Sequence, residues 1–176
     1  MARSPLVEHV GELRRRHGVP KAFRADVALE GLTLSSSWVP ADDEVRVDLT
    51  LEAIHEALVA TGAITFAWEG ECRRCLGPVE GEREVTVREV FETEPVEGET
   101  WPLGVDTLNL EPMVRETVLL ALPLAPLCRE DCPGPAPELF PALVPDRELE
   151  REKQPGEASP PPDPRWAALD ALTFDE

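Results

Sequence analysis

Hydrophobic residues recur at every second position through the first half of the chain. Phe23, Ala25, Val27 and Leu29 alternate with polar neighbours, which predicts a half-buried strand ending near Gly31. Val45, Val47, Leu49 and Leu51 alternate with Glu44, Arg46, Asp48 and Thr50, the clearest strand pattern in the sequence. A third strand is predicted from Ala57 to Glu69, with Ile64, Phe66 and Trp68 on one side and Gly62 marking a bulge. A fourth is predicted from Glu82 to Glu92, where Val85 and Val87 oppose Thr86 and Arg88. Ser35–Ser37 and Pro40–Asp43 read as turns. The period lengthens twice. Leu6, Val10 and Leu13 stand at i, i+4 and i+7 behind Ser4 and Pro5, predicting a short N-terminal helix whose last turn carries Arg14, Arg15 and Arg16. Pro112 opens a second helix over 111–122, apolar at Met113, Val114, Val118 and Leu120 and ended by Pro123.

Consecutive strands joined by short turns, with a helix at each end, predict an α+β fold: an antiparallel β-sheet or partly open β-barrel, with the 111–122 helix packed across its open side. This domain is expected to occupy residues 1–132. Residues 133–162 read as a Pro-rich linker or disordered segment, with ten prolines between Pro133 and Pro164 and a helical piece near Asp146–Lys153. Residues 163–176 read as a C-terminal amphipathic segment, with Trp166, Leu169 and Leu172 at helical spacing. Such a segment either docks on its own domain or enters a partner's groove.

Charge narrows the range of partners. With 35 acidic and 17 basic residues among 176, the formal charge is -18. So acidic a surface repels phosphate backbones as a whole and attracts basic partners. The apolar run from Val118 to Leu127 is broken by Pro123 and Pro126 and is too short to span a bilayer, and no N-terminal stretch resembles a signal peptide. The expectation is a soluble cytoplasmic protein with reduced thiols and no membrane partner.

The candidate chemistry lies in the cysteines. All four fall in two short pairs, Cys72 with Cys75 and Cys128 with Cys132. One reading is a redox dithiol at Cys72 and Cys75, but such thiolates sit at the start of a helix, and Leu76–Gly77–Pro78 leads into alternation instead. A second is a zinc site built by both pairs, whose spacings suit tetrahedral ligation although tertiary folding has to join them. A third is a set of small, partly buried thiols without chemistry.

Two arginine groups, Arg14–Arg16 and Arg73 with Arg74, are local basic patches on an acidic protein. Each is read either as solvated charge or as a contact to RNA or a partner. The first group also suits the negative end of its helix. Trp38, Trp68 and Trp101 read as core or rim packing, since no basic groove surrounds them in sequence. The three histidines are scattered and are assigned no chemistry, and the acidic residues form no compact two-metal motif. A non-enzymatic protein is expected.

Taken in order, Cys-Arg-Arg-Cys-Leu-Gly-Pro-Val from Cys72, Asp-Thr-Leu-Asn-Leu-Glu-Pro-Met from Asp106, Leu-Cys-Arg-Glu-Asp-Cys-Pro-Gly from Leu127 and Asp-Pro-Arg-Trp-Ala-Ala-Leu from Asp163 resemble the YceD family. These are bacterial and plastid proteins associated with accumulation of large-subunit ribosomal RNA, and their gene commonly neighbours one for a small basic ribosomal protein. The resemblance implies a factor in large ribosomal subunit assembly, with a basic ribosomal protein or pre-ribosomal particle as partner. Direct rRNA contact through the arginine patches and a processing adaptor using Trp166 are the alternatives. Relatives often carry two further cysteines after the second pair, a set that looks like a local zinc ribbon. Ala136 and Leu139 stand there in this chain, so any four-cysteine site has to combine Cys72, Cys75, Cys128 and Cys132.

Overall fold

The structure is a computed structural model and describes residues 4–16 and 18–139. The expected helical piece near Asp146–Lys153, most of the Pro-rich segment and the Trp166 segment lie outside the described residues.

Elements follow one another as β1 (Val7–His9), α1 (Gly11–Arg15), β2 (Lys21–Ala28), β3 (Thr33–Leu34), β4 (Ser37–Trp38), β5 (Glu44–Ile54), β6 (Ala57–Glu71), β7 (Pro78–Glu92), β8 (Trp101–Pro102), β9 (Thr107–Asn109) and α2 (Glu111–Ala121). Among the described residues, β2 to β8 build an open seven-stranded sheet, and β1 pairs with β9 in a separate ribbon. The sheet is antiparallel except where β8 joins β7 in parallel.

Strict alternation explains how one face became the core. Along β5, Val45, Val47, Leu49, Leu51 and Ala53 are buried while their neighbours face out. The register brings Val47 opposite Ala25 and Ile64, and Leu51 opposite Ala60, so one apolar surface runs across three strands. Burying each of these large side chains contributes about 1.5–3 kcal/mol. On the outer face Arg24 meets Asp48 at 2.9 Å and Arg46 meets Asp26 at 3.2 Å, exposed pairs of about 0–1 kcal/mol each. Burial therefore sets the register and the ion pairs conform to it. The helix α2 contacts β6 and β7 and covers the core with Met113, Val114 and Val118.

Four sequence expectations need correction. The N-terminal apolar triplet is not one helix from Ser4: β1 comes first and α1 is only Gly11–Arg15. Backbone bonds to a distant segment, Leu110 N–H to Leu6 O at 2.9 Å and Val10 N–H to Asp106 O at 3.0 Å, outcompete the first helical turn, and Leu6, Val10 and Leu13 are buried all the same. Gly62 marks no bulge. The β5–β6 and β6–β7 registers run unbroken through it, and its role is close approach, since a Cβ there would lie 2.2 Å from Asp48 O. Ser35 and Ser36 form the expected turn, but Ser37 is the first residue of β4, and the turn closes a small hairpin, β3 with β4, which attaches to the far end of β6. The fourth strand begins at Pro78 rather than Glu82, so β6 and β7 form one long ribbon that carries the first cysteine pair at its tip.

Candidate metal centre

The β6–β7 ribbon closes through Cys72–Gly77. Cys72 N–H donates to Gly77 O at 2.8 Å and Leu76 N–H to Cys72 O at 2.8 Å, so the loop folds on itself and turns both sulfurs to one side. Leu76 takes a left-handed φ of 61° to make this turn.

The second pair arrives by another route. At the end of α2, Leu122 is extended (φ -61°, ψ 136°), as the residue before a proline is constrained to be. The chain then runs under the hairpin of β3 and β4, where the buried Ser37 hydroxyl donates to Pro123 O at 2.8 Å. Arg73 N–H donates to Pro126 O at 2.9 Å, fastening the second segment to the first loop before Cys128 is reached. The Arg74 guanidinium closes the arrangement by donating to Glu130 O at 3.1 Å and Cys132 O at 3.0 Å.

All four cysteine sulfurs consequently lie within 4.8 Å of one another. Cys72 Sγ is 3.8 Å from Cys132 Sγ, and Cys75 Sγ is 3.8 Å from Cys128 Sγ. All four are free thiols, and these separations are far beyond a disulfide's bond length of about 2.0 Å. Four sulfurs held tetrahedrally at about 2.3 Å from a common zinc would sit about 3.8 Å apart, the separation of these two pairs, and all four already lie close to that spacing. Cys72 and Cys132 are buried, Cys75 is half-buried and Cys128 faces solvent.

The thiols of the cluster are not equivalent. The backbone N–H groups of Cys75, then Cys128, and more weakly Arg74, point at the Cys72 sulfur and hold its pKa down to about 6 against the opposing effect of burial. Cys128 is pushed up to about 12, chiefly because its proton serves a hydrogen bond with the Cys132 sulfur, with partial desolvation on the side facing the other thiols adding to this. A thiolate at Cys72 is a ready first ligand for a soft divalent ion, which releases protons from the thiols it goes on to bind.

The other candidate residues are distributed differently. Arg73 is exposed, whereas Arg74 is half-buried and spent on the two carbonyls. Arg14 donates to Val105 O at 2.6 Å. Arg15 and Arg16 are exposed and, with His9, Lys21 and Asp106, border a cleft of about 640 Å³ that shares no residue with the cysteine cluster. Trp68 is buried, Trp38 and Trp101 are half-buried, and Trp101 Nε1 donates to Glu89 at 2.9 Å. Trp166 lies outside the described residues. Ser37 and the clamping role of Arg74 were not anticipated from sequence. Polar residues in a turn carry no sign of which distant carbonyl they will meet.

A sequence model of the family described as "Large ribosomal RNA subunit accumulation protein YceD" matches residues 60–173. An uncharacterized protein of Mycobacterium tuberculosis is 31% identical over 175 residues, covering 94% of this chain and 80% of the relative. An uncharacterized protein of Mycobacterium leprae is 32% identical over 174 residues, covering 94% of this chain and 76% of the relative. No solved structure matches the chain significantly.

Proposed function

Since the chain belongs to the YceD family, we propose that it is a non-enzymatic factor for large ribosomal subunit assembly, which holds a basic large-subunit ribosomal protein or a pre-ribosomal particle in the cytoplasm. A zinc ion bound by Cys72, Cys75, Cys128 and Cys132 would tie its scaffold together. The observation that carries this reading is the closed four-sulfur set. Structural zinc sites are filled by four protein ligands, whereas catalytic ones keep a position for water or substrate. Four thiolates around a tetrahedral position also favour zinc, or iron, over harder cations.

Charge supports a protein partner over naked RNA. Phosphate binding is driven by counterion release onto a cationic face, and a chain of formal charge -18 offers little of it. The same charge speeds encounter with a basic protein and screens that protein from RNA until delivery. Direct rRNA contact would use exposed cations such as Arg15, Arg16 and Lys21 around their cleft, or Arg73.

The test is recovery of the tagged protein from its own cells at moderate and high salt, with and without ribonuclease, and identification of what accompanies it. A basic large-subunit protein that survives ribonuclease and is lost in salt supports the holder. Precursor rRNA whose recovery depends on Arg15, Arg16 or Arg73 would replace it with RNA binding. The absence of any ribosomal component would overturn the assembly reading.

A further inference from the structure

Beside the cysteine loop lies a groove of about 560 Å³ between β4, the tip of β6 and the start of β7. Trp38, Leu76 and Val79 supply apolar surface, and Glu69, Glu71 and Glu80 supply carboxylates. The register puts Trp38 opposite Glu69 and Glu69 opposite Glu80, so one row crosses three strands as an indole and two carboxylates.

Three features of this groove work against the stability of the isolated domain. Like charges directly opposite on neighbouring strands are destabilising, and Glu69 faces Glu80. Elsewhere on the same outer face the strands pair opposite charges, Arg24 with Asp48 and Arg46 with Asp26. Among the described residues no ion pair engages Glu69, Glu71 or Glu80. Leu76 is both left-handed and 70% exposed, a bulky apolar side chain where glycine is the usual occupant. Unfavourable backbone, unpaired charge and exposed apolar surface gathered at one place mark a surface shaped by what it binds.

Resting on the reading of a basic partner, we propose that this groove is where that partner docks, through an arginine-rich segment of protein. A guanidinium over the Trp38 indole gains a cation–π contact, aliphatic side chains of the segment cover Leu76 and Val79, and neighbouring cations relieve the repulsion between Glu69 and Glu80. Charge selects this occupant. RNA is repelled by the rim. Residues 140–176 of the chain itself carry nine acidic and four basic side chains and suit it poorly. The loop that presents Leu76 is also the loop that presents Cys72 and Cys75, so the metal centre holds one wall of the groove in place.

Glu80→Lys separates docking from folding, because it turns the Glu69 pairing from repulsive to attractive. The full-length zinc-loaded protein is titrated with a labelled short peptide alternating Arg and Leu, with a Glu/Leu peptide as control. In parallel the protein is tested for capture of salt-extracted large-subunit ribosomal proteins. The expected result is that E80K melts no lower than the parent, binds the Arg/Leu peptide at least about tenfold more weakly at low salt, and loses the captured ribosomal protein. Leu76→Ser, with zinc content unchanged, is expected to weaken the same binding. If the parent captures a basic large-subunit protein and both variants capture it equally well, the groove assignment is overturned and the holder reading survives. If the Glu/Leu peptide binds as tightly as the Arg/Leu peptide, the groove is merely apolar and the assignment also fails. If the parent captures no basic large-subunit protein, the holder reading fails and the groove assignment falls with it.

Discussion

The sulfur of Cys72, at the tip of the β6–β7 ribbon, lies 3.8 Å from the sulfur of Cys132, 60 positions further along the chain. Between them run the whole of β7, two short strands and α2. A cross-link at this point closes a long loop of the unfolded chain, so bound metal would stabilise the domain in the manner of a disulfide while leaving it able to respond to metal supply.

Cys128 gives the cleanest test of whether the thiols act together, because it is exposed. If it were an isolated surface thiol, Cys128→Ser would leave the thermal melt where it is. We expect this variant to lose its metal and to melt about 10 °C lower, close to the effect of Cys132→Ser at the buried position. Metal analysis with calorimetry on both variants decides.

Arg74→Ala should destabilise the domain by about 1–3 kcal/mol, since it takes a charged donor from the part-buried Cys132 carbonyl, removes the exposed bond to Glu130 O and frees the second cysteine loop. Arg73→Ala, at the exposed neighbour whose backbone makes the tie to Pro126, should stay within about 0.5 kcal/mol of the parent. Urea unfolding of the two variants side by side reads the difference.

Much of this architecture was legible in sequence because burial dictated it. The alternation through β5 and β6 fixed both strands and their inward faces. The spacing Leu6, Val10, Leu13 identified buried residues correctly, yet suggested one helix where the chain makes a strand and a short helix, because the competing partners at Leu108 and Leu110 lie a hundred residues away in tertiary pairing. The cysteines were visible as two half-sites, and their meeting was not. It depends on Pro123, which meets Ser37 of β4, and on Pro126, which meets Arg73 of the β6–β7 loop, contacts between segments far apart in sequence. The row of Trp38, Glu69 and Glu80 was hidden for the same reason, since it exists only in the register.

Ser37→Ala, at a fully buried residue, should cost about 1–3 kcal/mol by leaving the part-buried Pro123 O without its donor. If the segment between α2 and Cys128 relies on this bond, hydrogen exchange in residues 124–132 should quicken more than in β5. Equal protection in both regions would refute that local role.

Gly62→Ala should destabilise the sheet by about 1–3 kcal/mol, because the added Cβ would meet Asp48 O and Leu49 Cα of the neighbouring strand. The damage would lie in β5 and β6, so the variant is expected to bind the same amount of metal as the parent. Thermal melts paired with metal analysis would show lower stability at unchanged stoichiometry.

X-ray absorption at the zinc edge of the purified full-length protein tests most directly for one metal centre shared by two distant cysteine pairs. One zinc per chain with four sulfur neighbours at about 2.3 Å is the predicted result. A protein that carries no metal after purification in zinc-supplemented medium, or zinc bound mainly by nitrogen and oxygen, would contradict it.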